Sequence, residues 1–180
     1  GDDFAVLELG ASAPGEIESL ARLAAPRIGV ITRLGDAHLS GFGSAGGVAR
    51  AKAELLAELP PDGWVILPGD DPRARRLAEK TRARVLWVGR SLDNDVVASN
   101  VSSRGGMLRF DVDGQPMSIR VWGRHHLNSA VAAVAGAGRG GLAGGRGRRG
   151  AGGGLSARGG GGGGVGGRGG GGGGGWGVRG

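Results

Sequence analysis

Short apolar runs and helically spaced apolar residues alternate along the first half of the chain. Four runs are continuous, apolar and partly β-branched, as expected of buried strands, and they span residues 4–9, 27–32, 64–67 and 85–88. Between the first two runs, Ile17, Leu20 and Leu23 recur at helical spacing, and the next two intervals have a similar helical pattern. This βαβαβαβ order predicts an α/β fold with a mostly parallel sheet flanked by helices.

The pattern changes after residue 95. Three further runs, at residues 96–102, 107–113 and 117–121, are joined by short segments that contain Gly105-Gly106 and Asp113-Gly114. Such spacing favours a small three-stranded antiparallel addition to the sheet. An Ala- and Val-rich segment follows, and it predicts a helix over residues 127–135 that ends at Gly136.

Composition divides the chain into two parts. Residues 1–137 contain 17 glycines and balance 16 basic against 16 acidic residues, whereas residues 138–180 contain 27 glycines, seven arginines and no acid. We therefore expect one folded domain at 1–137. We expect a disordered low-complexity tail at 138–180, because that segment has too few large apolar side chains to offset chain entropy.

Two interpretations of the tail differ in function. Arg139, Arg158 and Arg168 each precede Gly-Gly, a pattern that accompanies RNA binding in other proteins. The alternative function is therefore that of a non-catalytic nucleic-acid-binding protein. A shifted reading frame through a GC-rich, alanine-coding stretch would also yield mostly Gly and Arg, and we favour that origin. The high pI of about 11.4 comes from the tail, so it does not indicate a basic folded domain.

Several classes of protein are excluded or not expected. The sequence has no cysteine, which excludes disulfides and thiolate metal sites. No apolar run approaches the roughly 18 residues that cross a bilayer, and the start of the chain lacks the features of a signal peptide. We expect a cytoplasmic protein with no membrane partner, with nucleic acid not favoured and a monomer as the default.

Three polar residues follow or flank predicted elements at one edge of the predicted sheet. Glu8 is near the end of the first apolar run, His38 lies in the loop after the second run, and Lys52 is on the next helix. Ligands bind beyond the carboxyl ends of strands in open α/β sheets, so Glu8 and His38 could share a divalent metal. Spacing alone leaves the ordinary alternatives open, namely a solvated carboxylate, a loop histidine and an exposed lysine.

Four segments resemble the Mur ligase family in order and spacing. Glu8-Leu9-Gly10 with Gly15-Glu16-Ile17 is similar to the family's E-L-G-x-x-x-x-G-E-I, and Ala37-His38-Leu39 with Phe42-Gly43-Ser44 is similar to A-H-L-E-x-F-G-S. Val48–Leu55 resembles the helix that bears the family's modified lysine. Residues 123–133 resemble its G-x-H-N-x-x-N-A-L-A-A segment. The first form favours the ligases that add D-alanyl-D-alanine.

The resemblance implies an activity and a metal site. It implies that residues 1–137 are the central, ATP-binding domain of an ATP-dependent amide ligase of peptidoglycan precursor synthesis, which joins D-Ala-D-Ala to UDP-MurNAc-tripeptide through an acyl phosphate. Glu8 and His38 match the family's magnesium ligands. Lys52 matches the lysine that carbon dioxide carbamylates, which makes it an anionic metal ligand and the residue that we assign to catalysis. ATP and Mg²⁺ are the implied cofactors.

The chain also departs from the family pattern. At the adenine-side segment, where the family has two asparagines, this chain has His126 and Ser129, with Asn128 between them, so these three are the candidate nucleotide-binding residues. Pro68-Gly69-Asp70 stands where the family commonly has Asn-Ala-Asp. No G-x-x-G-K-[ST] phosphate-binding loop occurs in the sequence, and in the family it precedes the position of Glu8. We therefore expect an N-terminally truncated domain that is inactive alone.

Overall fold

A computed structural model describes residues 4–34, 45–139 and 156–157 of the chain. Its helices are α1 (Glu16–Ala24), α2 (Ala45–Ala57), α3 (Pro72–Ala78) and α4 (Leu127–Arg139), and a 3₁₀ turn at Arg124–His126 leads into α4. Its strands are β1 (Ile28–Val30), β2 (Trp64–Pro68), β3 (Arg84–Gly89), β4 (Val96–Arg104), β5 (Met107–Val112), β6 (Gln115–Arg120) and β7 (Ser156–Ala157).

The strands form one mixed sheet in the order in which they occur in the chain. Strands β1, β2, β3 and β4 pair in parallel, and β4, β5 and β6 continue the sheet as an antiparallel meander. The α/β fold class and the meander are therefore confirmed. Both predicted turns have positive φ at their glycines, 57° and 71° at Gly105 and Gly106 and 74° at Gly114, a backbone region that glycine enters without strain.

Helices cover the parallel strands on both faces. Ile66, Leu86 and Val88 project to one face, where Leu127, Val131 and Ala135 of α4 pack against them together with the inner side of the meander. Val65 and Leu67 project to the other face, against Leu56 of α2 and Leu77 of α3. Because β2 is buried on both faces, its sequence is continuously apolar. α1 lies outside this second layer and packs against α2.

The prediction of a strand at residues 4–9 is wrong. These residues have no regular secondary structure, and Phe4, Val6 and Leu7 are exposed. A strand needs a hydrogen-bonded neighbour, and none of the strands in the described ranges pairs with this segment. The apolar pattern shows that the segment has a strand-like composition. Whether a strand forms depends on a pairing partner elsewhere in the chain, which a local pattern cannot reveal.

The end predicted for the last helix is also wrong. α4 does not stop at Gly136 but continues to Arg139. A Cβ at Gly136 would lie 3.4 Å from the Cδ1 of Ile66, so this glycine lies close against the sheet. Arg139 places its guanidinium 4.3 Å from the centre of the Trp64 ring, which tethers the last turn of the helix. Tertiary contacts thus outweigh the low helix propensity of glycine.

Two residues of the predicted tail form a short strand. Ser156–Ala157 forms β7, which pairs in parallel with β6. Residues 140–155 and 158–180 lie outside the described part, so the disorder expected of the tail stays a prediction. Among the described residues, no helix is both long and apolar enough to cross a membrane.

Candidate functional site

Loops that follow three neighbouring parallel strands meet at the carboxyl edge of the sheet. The segment after β1 contains Arg33, the loop after β2 contains Asp70 and Asp71, and the loop after β3 runs from Arg90 to Asp95. Hydrogen bonds and charges connect all three. This edge is where open α/β sheets bind ligands, so it is the candidate site.

Lys52 on α2 points to this edge. Its Nζ donates a hydrogen bond to the backbone carbonyl oxygen of Arg33, which lies just beyond β1. Burial lowers the pKa of Lys52, the positive charge of Arg73 lowers it further, and Asp71 acts in the opposite direction. A partly buried lysine with a lowered pKa holds more of its amine in the neutral, nucleophilic form than an exposed lysine does.

Asp71 and Arg73 form a fixed charged pair opposite Lys52. Asp71 caps α3 by accepting a hydrogen bond from the backbone N–H of Arg73, with an N–O distance of 3.0 Å. The guanidinium of Arg73 also donates to both carboxylate oxygens of Asp71, at 3.0 Å from Nε and 2.8 Å from Nη2. These hydrogen bonds hold the pKa of the Asp71 carboxyl below its usual value despite partial desolvation. The charges of this pair both act on Lys52.

Asp70 joins the loop after β2 to the loop after β3. Its carboxylate accepts hydrogen bonds from the backbone N–H groups of Arg90 and Ser91, at 2.8 and 3.0 Å, and from the side-chain amide of Asn94 at 2.8 Å. Desolvation acts to raise the pKa of Asp70, but these donors together keep it below its usual value. The two loops are consequently held as one unit.

Gly69 and Asn94 are in close contact inside that unit. A Cβ built on Gly69 would lie 1.8 Å from the Oδ1 of Asn94, so no larger residue fits unless Asn94 moves. Asn94 is buried, and its Oδ1 accepts no hydrogen bond within the described structure. A Cβ at position 69, where the family commonly has alanine, would therefore require Asn94 to move.

A carboxylate on α2 holds the start of α1 against that helix. Glu54 accepts hydrogen bonds from the backbone N–H groups of Gly15, at 2.9 Å, and Glu18, at 3.2 Å. These are free donors at a helix N-terminus, which carboxylates stabilise. Gly15 has a φ of 86°, a conformation suited to glycine. The segment that begins with Glu8 therefore leads into a helix that is anchored to α2 through Glu54, two residues after Lys52 and on the opposite side of α2.

The structure tests the predicted metal ligands only in part. Glu8 is exposed and makes no hydrogen bond or ion pair with any described residue, so its carboxylate is accessible to a cation. His38 lies outside the described residues. Across residues 4–34 and 45–139, no three His, Asp or Glu side chains cluster closely enough to hold a metal. A carboxylate and a carbamate would supply the oxygen ligands that Mg²⁺ prefers.

The predicted nucleotide-binding residues lie at the start of α4. His126 ends the 3₁₀ turn and is half-buried, Asn128 and Ser129 are in the first turn of α4, and the ring of His125 lies 4.1 Å from that of His126. Because Arg139 at the other end of α4 contacts Trp64, the first residue of β2, the start of α4 lies toward the carboxyl edge. Lys52 and these three residues thus belong to the same end of the sheet, although no contact joins them.

Four residues of this edge were not identified from the sequence as part of the site. Asn94 and Glu54 bind segments that are distant in sequence. Asp71 and Arg73 bind each other locally, and only the fold brings their charges near Lys52. The Pro68-Gly69-Asp70-Asp71-Pro72 segment did carry a signal, because an aspartate before a proline is a common helix N-cap. Nothing local to Asn94 indicates its role.

Comparisons with known proteins agree with the family resemblance. The family model for the Mur ligase middle domain matches residues 1–137. The UDP-N-acetylmuramoyl-tripeptide–D-alanyl-D-alanine ligase of Bacillus subtilis is 36% identical over 143 residues, which cover 78% of this chain and 31% of the relative. The corresponding Mycobacterium tuberculosis (strain H37Rv) ligase is 39% identical over 138 residues, with coverages of 74% and 27%.

Solved structures give the same result for the fold. MurF from Acinetobacter baumannii superposes with a TM-score of 0.67 at 28% identity and covers 73% of this chain and 30% of its own. The Thermotoga maritima MurF ligase, solved with ADP, has a TM-score of 0.65 at 22% identity over 77% and 34%, and this likeness supports the fold alone. This chain therefore spans about a third or less of the length of the relatives that it matches.

Proposed function

The chain belongs to the Mur ligase family, and on that premise we propose that it supplies the middle domain of a ligase that adds D-Ala-D-Ala to UDP-MurNAc-tripeptide. The observation that carries the proposal is the position of Lys52, which is partly buried at the carboxyl edge with a lowered pKa. The named relatives catalyse this addition, and the proposal extends their activity to a protein that contains this chain. The proposal includes a cytoplasmic location, as expected from the sequence.

The partial burial and lowered pKa of Lys52 support its carbamylation. Its neutral amine would add to carbon dioxide and release a proton, which converts a cationic side chain into an anionic carbamate. Glu8, His38 and the Lys52 carbamate would then hold magnesium. The ion, when bound, would neutralise charge on the phosphoryl oxygens of ATP. Arg73, fixed by Asp71, provides a positive charge near the new anion.

The reaction itself has two transfers. The terminal carboxylate of the UDP-linked tripeptide would attack the γ-phosphorus of ATP, and ADP would leave. The amine of D-Ala-D-Ala would attack the resulting acyl phosphate, lose a proton and displace phosphate. In this proposal His126, Asn128 and Ser129 contact the nucleotide from the start of α4. His126 and Ser129 replace the two asparagines of the family, and they offer an imidazole and a hydroxyl in place of amides.

Carbamylation can be measured directly because the chain has only two lysines, Lys52 and Lys80. Lys80 is exposed and serves as a matched control. With isotopically labelled bicarbonate, NMR should detect one carbamate signal that persists in Lys80→Arg and disappears in Lys52→Arg. A signal lost in both variants or in neither, in proteins that remain folded, would contradict the assignment of Lys52.

The ligase activity can be tested in a complete enzyme. Residues 1–137 would replace the matching segment of the Bacillus subtilis ligase, and formation of the pentapeptide product would be measured by chromatography. We expect the chimera to be active and its Lys52→Ala variant to lose at least about a hundredfold in kcat, the scale on which electrostatic groups at reacting centres act. A folded chimera without activity would refute the proposed function.

A further inference from the structure

Trp122 is an exposed tryptophan whose ring is supported by backbone. Its side chain is 77% exposed, although the residue before it, Val121, is buried. A Cβ built on Gly106 would lie 3.1 Å from the Cε2 and 3.3 Å from the Nε1 of Trp122, so part of the indole lies against that glycine. Gly106 belongs to the turn between β4 and β5, and its φ of 71° suits glycine. The ring therefore has a fixed support while most of its surface faces solvent.

The other two tryptophans in the described residues each have a cation on the ring. The guanidinium of Arg139 lies 4.3 Å from the centre of the Trp64 ring, and that of Arg75 lies 4.5 Å from the centre of the Trp87 ring. Trp122 has no cation on its ring, no hydrogen bond and no stacked ring among the residues that the structure describes. Its aromatic surface is thus available to a planar partner.

Trp122 lies at the carboxyl edge of the sheet. β4 is parallel to β3, so the last residue of β4, Arg104, lies at that edge. Arg104 pairs with Met107, and Met107 pairs with Arg120, so the end of β6 lies there too. Trp122 follows β6 by two residues and precedes the 3₁₀ turn at Arg124–His126. The candidate nucleotide-binding residues belong to the same edge.

Gly123 allows an imidazole to lie close beside the backbone that follows Trp122. Its φ is 95°, and a Cβ built on it would lie 2.5 Å from the Nδ1 of His125, so a side chain at position 123 would displace that ring. The rings of His125 and His126 are 4.1 Å apart. One indole and two imidazoles therefore occur within residues 122–126, directly before the first turn of α4.

We propose that Trp122 binds the adenine base of ATP by stacking its indole on the base. The inference rests on the proposed function, and it adds a contact from outside the family's adenine-side motif, which begins at Gly123. His126 and Ser129 stand where the family has two asparagines, so this chain lacks amides at those two positions. Stacking uses the face of a base and needs no hydrogen-bond donor or acceptor, so it compensates for contacts that the missing amides would make.

The charges beside Trp122 favour a nucleotide as its partner over an apolar segment of protein. Arg104 and Arg120 are exposed, and neither has an anionic partner within the described residues. A nucleotide brings negative charge to these guanidiniums. An apolar segment packed over Trp122 would instead remove unpaired cations from water, which costs free energy.

Nucleotide binding by the chimera with the Bacillus subtilis ligase tests the inference. Calorimetry gives the Kd for ADP, and steady-state rates give the KM for ATP. We expect Trp122→Ala to raise both about tenfold or more with kcat unchanged at saturating ATP, and Trp122→Phe to restore most of the affinity. Leu23→Ala is the matched control, because Leu23 is 85% exposed on α1, which packs against α2 on the other face of the sheet. It should change neither constant.

Inorganic triphosphate separates contacts to the base from contacts to the phosphates. It has no base, so Trp122→Ala should leave its Kd unchanged while the Kd for ADP rises. Circular dichroism shows whether each variant is folded. In folded variants, equal weakening of ADP and triphosphate, or an ADP affinity that does not depend on residue 122, would overturn the inference.

The stacking inference and the proposed function fail in different ways. A chimera that forms the pentapeptide product with a KM for ATP that Trp122→Ala does not change would refute stacking and leave the ligase function in place. A folded chimera that forms no product but binds ADP with an affinity that depends on Trp122 would refute the ligase function and support stacking.

Discussion

At the scale of single residues, Asn94 occupies the space that a side chain at position 69 would need. We expect Gly69→Ala to lower the free energy of unfolding by about 1–3 kcal/mol, because the new methyl group overlaps the Oδ1 of buried Asn94. Urea unfolding of Gly69→Ala, Asn94→Ala and the double variant measures the coupling between them. The double variant should recover much of the loss from Gly69→Ala, and additive effects would contradict the contact.

Asp70 gives the site a defined dependence on pH. Its pKa is lowered in the folded protein, so its stabilising effect is fully present above the unfolded value and is lost as the pH falls through the folded one. Asp70→Ala should cost about 1 kcal/mol near neutral pH, a modest value because the carboxylate is exposed. Urea unfolding at several pH values should show this difference shrinking below about pH 4. A difference that does not change with pH would contradict the charged hydrogen bonds.

Single residues also show which parts of the site can be predicted from the sequence. Lys52 could be singled out because its surrounding string resembles a family motif, and the structure places it at the carboxyl edge. Glu54 and Asn94 could not, because each acts on backbone or side chains more than twenty positions away. A motif identifies residues that face a ligand, whereas the residues that position them are defined by contacts across the fold.

At the scale of elements, α4 contains a glycine with room for a side chain. Gly136→Ala should raise the free energy of unfolding by up to about 1 kcal/mol, because alanine favours the helix and its Cβ would meet the Cδ1 of Ile66 at 3.4 Å. Thermal unfolding would show a higher midpoint. A lower midpoint would mean that Ile66 cannot yield to the methyl group. Gly138→Ala is the control, since nothing lies near its Cβ position.

Element prediction succeeded where local pattern and packing agree. Strands β2 and β3 are buried between helices, and their apolar runs predicted them to within a residue or two at each end. The meander followed from its glycine turns. The predictions for residues 4–9 and for the end of α4 were wrong for opposite reasons. Residues 4–9 have the composition of a strand but no pairing partner, whereas the last turn of α4 contains glycines but is held by tertiary contacts.

At the scale of the whole molecule, the family's phosphate-binding motif decides what the chain is expected to do alone. The sequence has no G-x-x-G-K-[ST] loop, so the chain lacks that family source of backbone donors for the β- and γ-phosphates. We expect the chain alone to form no amide product from the tripeptide, D-Ala-D-Ala and ATP, while it remains folded by circular dichroism. Product formed by the isolated chain would show that another group supplies the phosphate contacts.

The order of the strands has a consequence for biosynthesis. Strands β1 to β6 are neighbours in the sheet in the same sequence in which the ribosome makes them. Each emerging strand therefore finds its pairing partner already synthesised, and the sheet can grow from one edge without waiting for a later segment. Short separations between paired strands speed folding, and domains fold as units during synthesis. The central β2–β3 pair would be in place before α4, which closes the core, leaves the exit tunnel.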